Sequence, residues 1–173
     1  MTARPPALRS ASEADPIPAD VARYVKGHVR STRDLRAYLS RRGFTRSVAA
    51  RLLARLKTLG VVDDTAGARL WVEQWAREGY AWAAIRVRLS AKGFDERAIR
   101  RAAGRDTAAD DRSRAFGVVA ERLRRAVAEG AQPQTDVAMR QRARLARRLA
   151  ARGFDCDLIE QVLDESLGRR PSD

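Results

Sequence analysis

The sequence predicts an all-α protein made of three tandem three-helix repeats in an elongated, modular arrangement. Three observations carry this expectation. The first is a short stretch that recurs as Leu39-Ser40-Arg41-Arg42-Gly43-Phe44, Leu89-Ser90-Ala91-Lys92-Gly93-Phe94 and Leu149-Ala150-Ala151-Arg152-Gly153-Phe154. Each copy reads as a helix stop. The glycine sits just past the last turn, where the backbone takes positive φ and a Cβ is strained. The basic residue before it faces the negative end of the helix dipole, and the phenylalanine is free to fold back over the last turn. The second observation is that the likeness extends outward. Leu35, Ile85 and Leu145 precede the glycines at a common distance, and Leu52, Ala102 and Val162 follow them at another. Val48-Ala49, Ala98-Ile99 and Leu158-Ile159 fill the same place after each corner. Spacings of four on either side are helical, so the unit is helix, Gly-Phe corner, helix, and a unit repeated at this period implies a modular chain. The third is composition. Alanine, leucine and arginine dominate while aromatics are only 6%, which favours helix, and valine and isoleucine never alternate with polar residues over a strand-length run.

The elements follow in order. Residues 1–19, with Pro5, Pro6, Pro16 and Pro18, show no periodicity and read as a flexible tail. The first repeat spans 20–60. Asp20 is placed to cap a helix over 21–29 that turns Val21, Tyr24, Val25 and His28 to one side. Ser31 and Asp34 form a variant capping box for a second helix ending at Arg42, with Leu35, Tyr38 and Leu39 inward. Thr45 caps a third helix, 46–59, with the stripe Val48, Ala49, Leu52, Leu53 and Leu56. The second repeat spans 63–104. Asp63 or Asp64 caps a helix with Ala68, Trp71, Val72 and Trp75 inward; the next carries Trp82, Ile85 and Leu89. Asp95 caps the last, with Ile99 inward. The third repeat spans 107–167. A long helix, 107–129, carries Phe116, Val119, Leu123 and Val127; Gly130 and Pro133 break it. Thr135 or Asp136 starts the next, which runs to Arg152, and Asp155 caps the last, with Leu158, Ile159, Val162 and Leu163 inward. Residues 168–173 are a frayed C-terminal tail.

Composition excludes several classes of function. The single cysteine, Cys156, forms no internal disulfide, and the single histidine, His28, leaves no zinc-type cluster. No metal or cofactor is expected. The paired Asp63-Asp64 lacks a third acid or a histidine nearby and reads as capping rather than acid chemistry. There is no Ser/His/Asp set and no Gly-rich phosphate loop, so an enzyme is disfavoured. No apolar run is long enough to span a membrane, and the N-terminus lacks an apolar signal core; a cytoplasmic protein is expected.

The net charge of +13 is uneven. Residues 21–62 hold eleven basic residues against one acid, residues 63–111 nine of each sign, and residues 112–152 eleven against three. Two basic modules thus flank a neutral one, which points to an anionic partner, either nucleic acid or an acidic protein surface. The plainer alternative is a solubilising arginine-rich surface shaped by genome composition, since only three of the 35 basic residues are lysine. The candidate contact residues are Arg41, Arg42, Arg46, Arg51 and Arg55 in the first module. In the third they are Arg140, Arg144, Arg147 and Arg148, which recur at helical spacing on one polar side.

Three tandem units with basic-Gly-Phe corners resemble the RecX family of bacterial recombination regulators. The likeness covers about residues 20–167. It is carried by Leu35, Leu39, Arg42-Gly43-Phe44 and the Leu52–Leu56 stripe, and by the junction Leu59-Gly60-Val61-Val62-Asp63-Asp64 followed by Ala68 and Trp71-Val72. Gly79, Ile85, Leu89 and Lys92-Gly93-Phe94 continue it, and Leu145, Leu149, Arg152-Gly153-Phe154 and Ile159 close it. Gly67 departs from the pattern, which usually has an aromatic there. The resemblance implies a protein, expected to be monomeric, that binds the RecA filament on DNA. It would inhibit strand exchange, ATP hydrolysis and co-protease activity, and so modulate DNA repair and recombination in the SOS response. It implies no catalytic residue.

The main rival is a DNA-binding protein acting without RecA. Three-helix units with basic second or third helices resemble helix-turn-helix modules, although Arg46, Ser47, Ala50 and Arg51 suit phosphate better than base edges. A single-strand binder would need exposed aromatics to stack on bases; Trp71, Trp75 and Trp82 are spaced instead as core.

Overall fold

The computed structural model describes residues 16–104, 108–128 and 135–168. All regular structure among them is helical: α1 Ala19–Val25, α2 Thr32–Arg41, α3 Arg46–Thr58, α4 Asp64–Arg77, α5 Trp82–Ala91, α6 Glu96–Ala103, α7 Ala108–Ala128, α8 Thr135–Ala150 and α9 Cys156–Leu167. The chain divides into two compact units. The first takes the chain up to Leu70 together with Leu89–Ala102, and the second takes Trp71–Arg88 together with the chain from Ala103. Both α4 and α5 therefore contribute to both units.

The helix starts are set by local side chains. Ser31 accepts from the amide of Asp34, Thr45 from Val48, Asp95 from Ala98 and Asp155 from Leu158. Each occupies an otherwise orphaned N–H of a first turn. Asp63 accepts from the amides of both Thr65 and Ala66 and caps α4. The three corners terminate α2, α5 and α8 as helix-to-turn reversals. Gly43, Gly93 and Gly153 stand at φ +82°, +86° and +84°, and Phe44, Phe94 and Phe154 are buried. In each corner the phenylalanine amide reaches back to a leucine carbonyl, Leu39, Leu89 or Leu149, which closes the last turn in the manner of a Schellman cap.

In the first unit, Val21, Leu35, Leu39, Phe44, Val48, Leu52, Leu53, Leu56 and Val62 form one core. Tyr24 and Tyr38 stack at 3.8 Å between ring centroids, and α1 is fastened to α2 through them. The Tyr24 hydroxyl donates to Asp34 and that of Tyr38 to the Asp20 carbonyl. In the second unit the core joins Ala115, Val119, Leu145, Leu149, Phe154, Ile159, Val162 and Leu163 around α7, α8 and α9.

Four expectations are corrected. α1 begins at Ala19, so Asp20 lies inside its first turn, where it pairs with Arg42 rather than capping. α1 also ends at Val25, because Gly27 takes positive φ; His28 falls outside the helix, is exposed, and lies against the Lys26 carbonyl. Asp34 does not complete a capping box, because its carboxylate is taken by Tyr24 and Arg30. Val127 is 76% exposed; it lies one turn beyond Leu123, the last residue of the α7 stripe packed on the core. The boundary calls on Gly130 and Pro133, and the tails before residue 16 and after 168, lie outside the described residues.

Candidate basic binding surface and its supporting joints

The joints that hold the corners come first, since they position the arginines. In the first unit, the N-terminus of α2 rests on the second corner. The Ser31 hydroxyl donates to the Lys92 carbonyl at 2.8 Å. Gly93 approaches so closely that a Cβ there would lie 2.7 Å from the Ser31 Oγ and 3.3 Å from the Arg33 Cβ. The Thr32 amide donates to Asp64, across 32 residues, at 2.7 Å. Of the adjacent acids, Asp63 thus caps its own helix, and Asp64 caps α2 from outside.

The second unit repeats the arrangement. The N-terminus of α5 rests on the third corner, with the Ala81 amide donating to the Arg152 carbonyl at 2.9 Å. A Cβ on Gly153 would lie 2.6 Å from the Ala84 Cβ and 3.3 Å from its backbone nitrogen. The Trp82 amide donates to Asp111 at 2.9 Å. Asp111 is thus the counterpart of Asp64, as Trp82 is of Thr32. It is also buried and ion-paired to Arg114, whose side chain is 10% exposed. Sequence reading missed this second acid. The repeated Asp-Asp at 110–111, echoing 63–64, was the available signal.

The candidate arginines fall as follows. Arg41, Arg46, Arg51 and Arg55 are exposed in the first unit. Arg42 is committed internally. Its Nε and Nη2 both donate to Asp20, its guanidinium lies over the Tyr38 ring, and the hydrogen bond to Asp20, then the neighbouring Tyr38 and Asp20 groups, raises its pKa above the ordinary arginine value. Arg140, Arg144, Arg147 and Arg148 are exposed on α8, but they do not act as one row. Arg147 lines a groove between α8 and α9 with Arg142, Met139 and Cys156. Arg148, about 100° further round the helix, faces a different cleft.

That cleft brings Arg148 together with basic residues that sequence reasoning did not single out as contacts. It has a volume of about 390 Å³ and lies between the end of α4, α7 and the end of α8; Arg77, Arg114, Arg125, Arg148 and Arg152 line it with Glu78, Glu121, Gly79 and Gly117. The Arg152 Nε donates to the Glu78 carbonyl at 3.4 Å. Burial, and after it the charge of Arg148, lowers the pKa of Arg152. Glu121 is paired to Arg124 and Arg125, and those partners, the Arg125 hydrogen bond foremost, pull its pKa down. Arg88 and Arg152 lie over the ring of Tyr80, at 3.9 and 5.6 Å from its centroid. No group of acids, histidine or cysteine suited to a metal ion occurs among the described residues. None of their helices is long and apolar enough to cross a membrane. Trp75 is buried and stacked on Trp71, so it offers no platform for a base.

Comparison with known proteins decides the family. The chain is 33% identical to the regulatory protein RecX of Mycolicibacterium smegmatis over 139 residues, 80% of this chain and 72% of that protein. It is 32% identical to the regulatory protein RecX of Mycobacterium tuberculosis strain H37Rv over 150 residues, 86% of each. This chain belongs to the RecX family. Solved RecX structures share the fold: RecX from Lactobacillus salivarius aligns at a TM-score of 0.64 with 17% identity, covering 84% of this chain and 91% of that one. A second regulatory protein RecX aligns at 0.60 with 21% identity, covering 84% and 69%. No protein-family model matches the chain.

Proposed function

We propose that this RecX-family protein binds the RecA filament on DNA and restrains its ATPase, strand-exchange and co-protease activities. The observation that carries the reading is the 32–33% identity to RecX regulatory proteins across most of the chain. The charge distribution supports it. Two strongly basic segments, around α2–α3 and α7–α8, suit acidic protein patches or phosphates of a nucleoprotein filament. Arg41, Arg46, Arg51 and Arg55 are the contact candidates in the first and Arg140, Arg144, Arg147 and Arg148 in the second. Arg42 contributes less, being engaged by Asp20. No catalytic residue is assigned, and the protein acts as a monomer in the compartment of its filament, the cytoplasm.

The test is the DNA-dependent ATPase of RecA with and without this protein. The expected result is inhibition that weakens as salt rises, because exposed charges are screened. Single changes should matter little, as one exposed pair contributes about 0–1 kcal/mol. Reversal of Arg140, Arg144, Arg147 and Arg148 together to glutamate should abolish inhibition while leaving the helical fold intact. An ATPase unaffected by the wild-type protein, with tight binding to naked DNA, would replace this reading with that of a DNA-binding protein acting without RecA.

A further inference from the structure

We propose that the cleft between the end of α4, α7 and the end of α8 seats one phosphodiester of a nucleic-acid strand, held by Arg77, Arg148 and Arg152. Arg77 comes from the end of α4, and Arg148 and Arg152 come from the end of α8 and the corner after it, so two places of the second unit that are remote in sequence bring these guanidinium groups to one cleft. None of the three has a carboxylate ion-pair partner among the described residues. Two are already oriented through one nitrogen: the Nε of Arg77 donates to the Glu73 carbonyl and that of Arg152 to the Glu78 carbonyl. Their remaining N–H groups are left for a ligand.

The competing account is that these arginines only neutralise two helix ends, since α4 and α8 both terminate at the cleft. The charges do not balance on that account. Each helix end supplies about half a negative charge, and Glu78 supplies one more. The other acid in the lining, Glu121, is matched by Arg124 and Arg125, and Arg114 is matched by Asp111. Three guanidiniums against these leave an excess of about one positive charge, and Arg124 and Arg125 against the single Glu121 add to it. Burial disfavours the charged form of Arg152, and the charge of Arg148 adds to it. A phosphodiester carries one negative charge and relieves this.

Geometry favours phosphate over carboxylate. One bidentate guanidinium takes two of the roughly four acceptor positions of a carboxylate, all of them in one plane, so three arginines converging on one cleft fit it less well. A tetrahedral phosphodiester offers oxygens in several directions. The cleft of about 390 Å³ leaves room for the flanking sugars. Along α7 the wall is bare at Gly117, where no atom of another element lies within 4 Å of where a Cβ would stand, so a narrow strand can lie against the helix there.

The test uses the full-length chain without RecA, so its outcome is independent of the RecA reading. Binding of an oligo-dT strand and of a duplex is followed by fluorescence anisotropy across a salt series. The Arg77→Gln/Arg148→Gln variant should lower the slope of log K against log salt by about 1, as expected for one lost phosphate contact. Arg148→Lys should retain part of the binding, having the charge without the fork. A variant that removes the same charge elsewhere, Arg23→Gln/Arg100→Gln, should leave the slope close to wild type. Comparison of the two DNA forms tells whether the strand is single or paired. Unchanged slopes in the cleft variant would show that the arginines serve only the helix ends. An equal fall in both variants would reduce the effect to general charge. Loss of poly-glutamate binding with DNA binding intact would assign the cleft to carboxylates instead. Helix content by circular dichroism checks that each variant is folded.

Discussion

The two units solve one problem with different chemistry. Each must seat the first turn of a helix against a Gly-Phe corner, and each uses a distant acid to cap that turn. In the first unit the contact to the corner runs through a side chain, Ser31 to the Lys92 carbonyl, and Asp64 is partly exposed. In the second it runs through the backbone, Ala81 to the Arg152 carbonyl, and Asp111 is buried with Arg114. The residues that look least alike, Ser31 and Ala81, therefore do equivalent work. A joint made by a side chain can be lost to one substitution, whereas a joint made by an amide survives most changes at that position. The second joint is instead exposed to loss at its buried ion pair.

The largest effect separating the two joints is expected at the acids. Asp111→Ala removes the carboxylate paired with Arg114 and leaves the Trp82 amide without its acceptor, a loss of about 3–5 kcal/mol for one half of a buried pair. Asp64→Ala removes a partly exposed cap and should cost about 1 kcal/mol. Urea midpoints for the two variants measure the gap; equal losses would refute the claim that the second joint depends on its ion pair.

The corner glycines come next. Gly93→Ala and Gly153→Ala both force positive φ on a side chain, about 1 kcal/mol, and both meet a close neighbour. At Gly153 that neighbour includes the backbone of Ala84, which yields less readily than the Ser31 hydroxyl opposite Gly93. Gly153→Ala should be the worse of the two by about 1 kcal/mol, of the order of overpacking costs, and thermal melting ranks them. Of comparable size is Ser31→Ala, which removes both the cap of α2 and the tie to Lys92 at a cost of about 1–2 kcal/mol. Ala81→Ser should change stability by less than about 0.5 kcal/mol, since the backbone already makes that contact. A Ser31→Ala variant as stable as wild type would show that the hydroxyl is dispensable to the joint.

The sequence was most informative where the controlling interaction is local. Ser31, Thr45, Asp95 and Asp155 each cap the helix that starts beside them, and each corner glycine stands just past the last turn of the helix it ends. The outward caps were not legible, because the partners of Asp64 and Asp111 stand 32 and 29 residues away. Nothing in a 3.6-residue period distinguishes an acid that caps its own helix from one that caps another. The basic surface was legible as charge but not as geometry. Periodicity groups Arg147 with Arg148, yet the two face a groove and a cleft on different sides of α8. Arg77 and Arg152 join Arg148 only through packing of helices remote in sequence.

The long reach of these joints bears on the order of folding. Ser31 meets Lys92 across 61 residues, and the first turn of α5 meets the third corner across a comparable length of chain. The helices and the corner turns form from contacts a few residues apart, on a sub-microsecond to microsecond scale. Closing a loop of such length adds chain entropy that must be met before the joint's own contacts form. The joints should therefore assemble after the folding barrier is crossed. Substitutions at Ser31 or Gly153 should accelerate unfolding and leave the refolding rate nearly unchanged, so the lifetime of the native state, more than the speed of reaching it, is set where one helix rests on a distant corner.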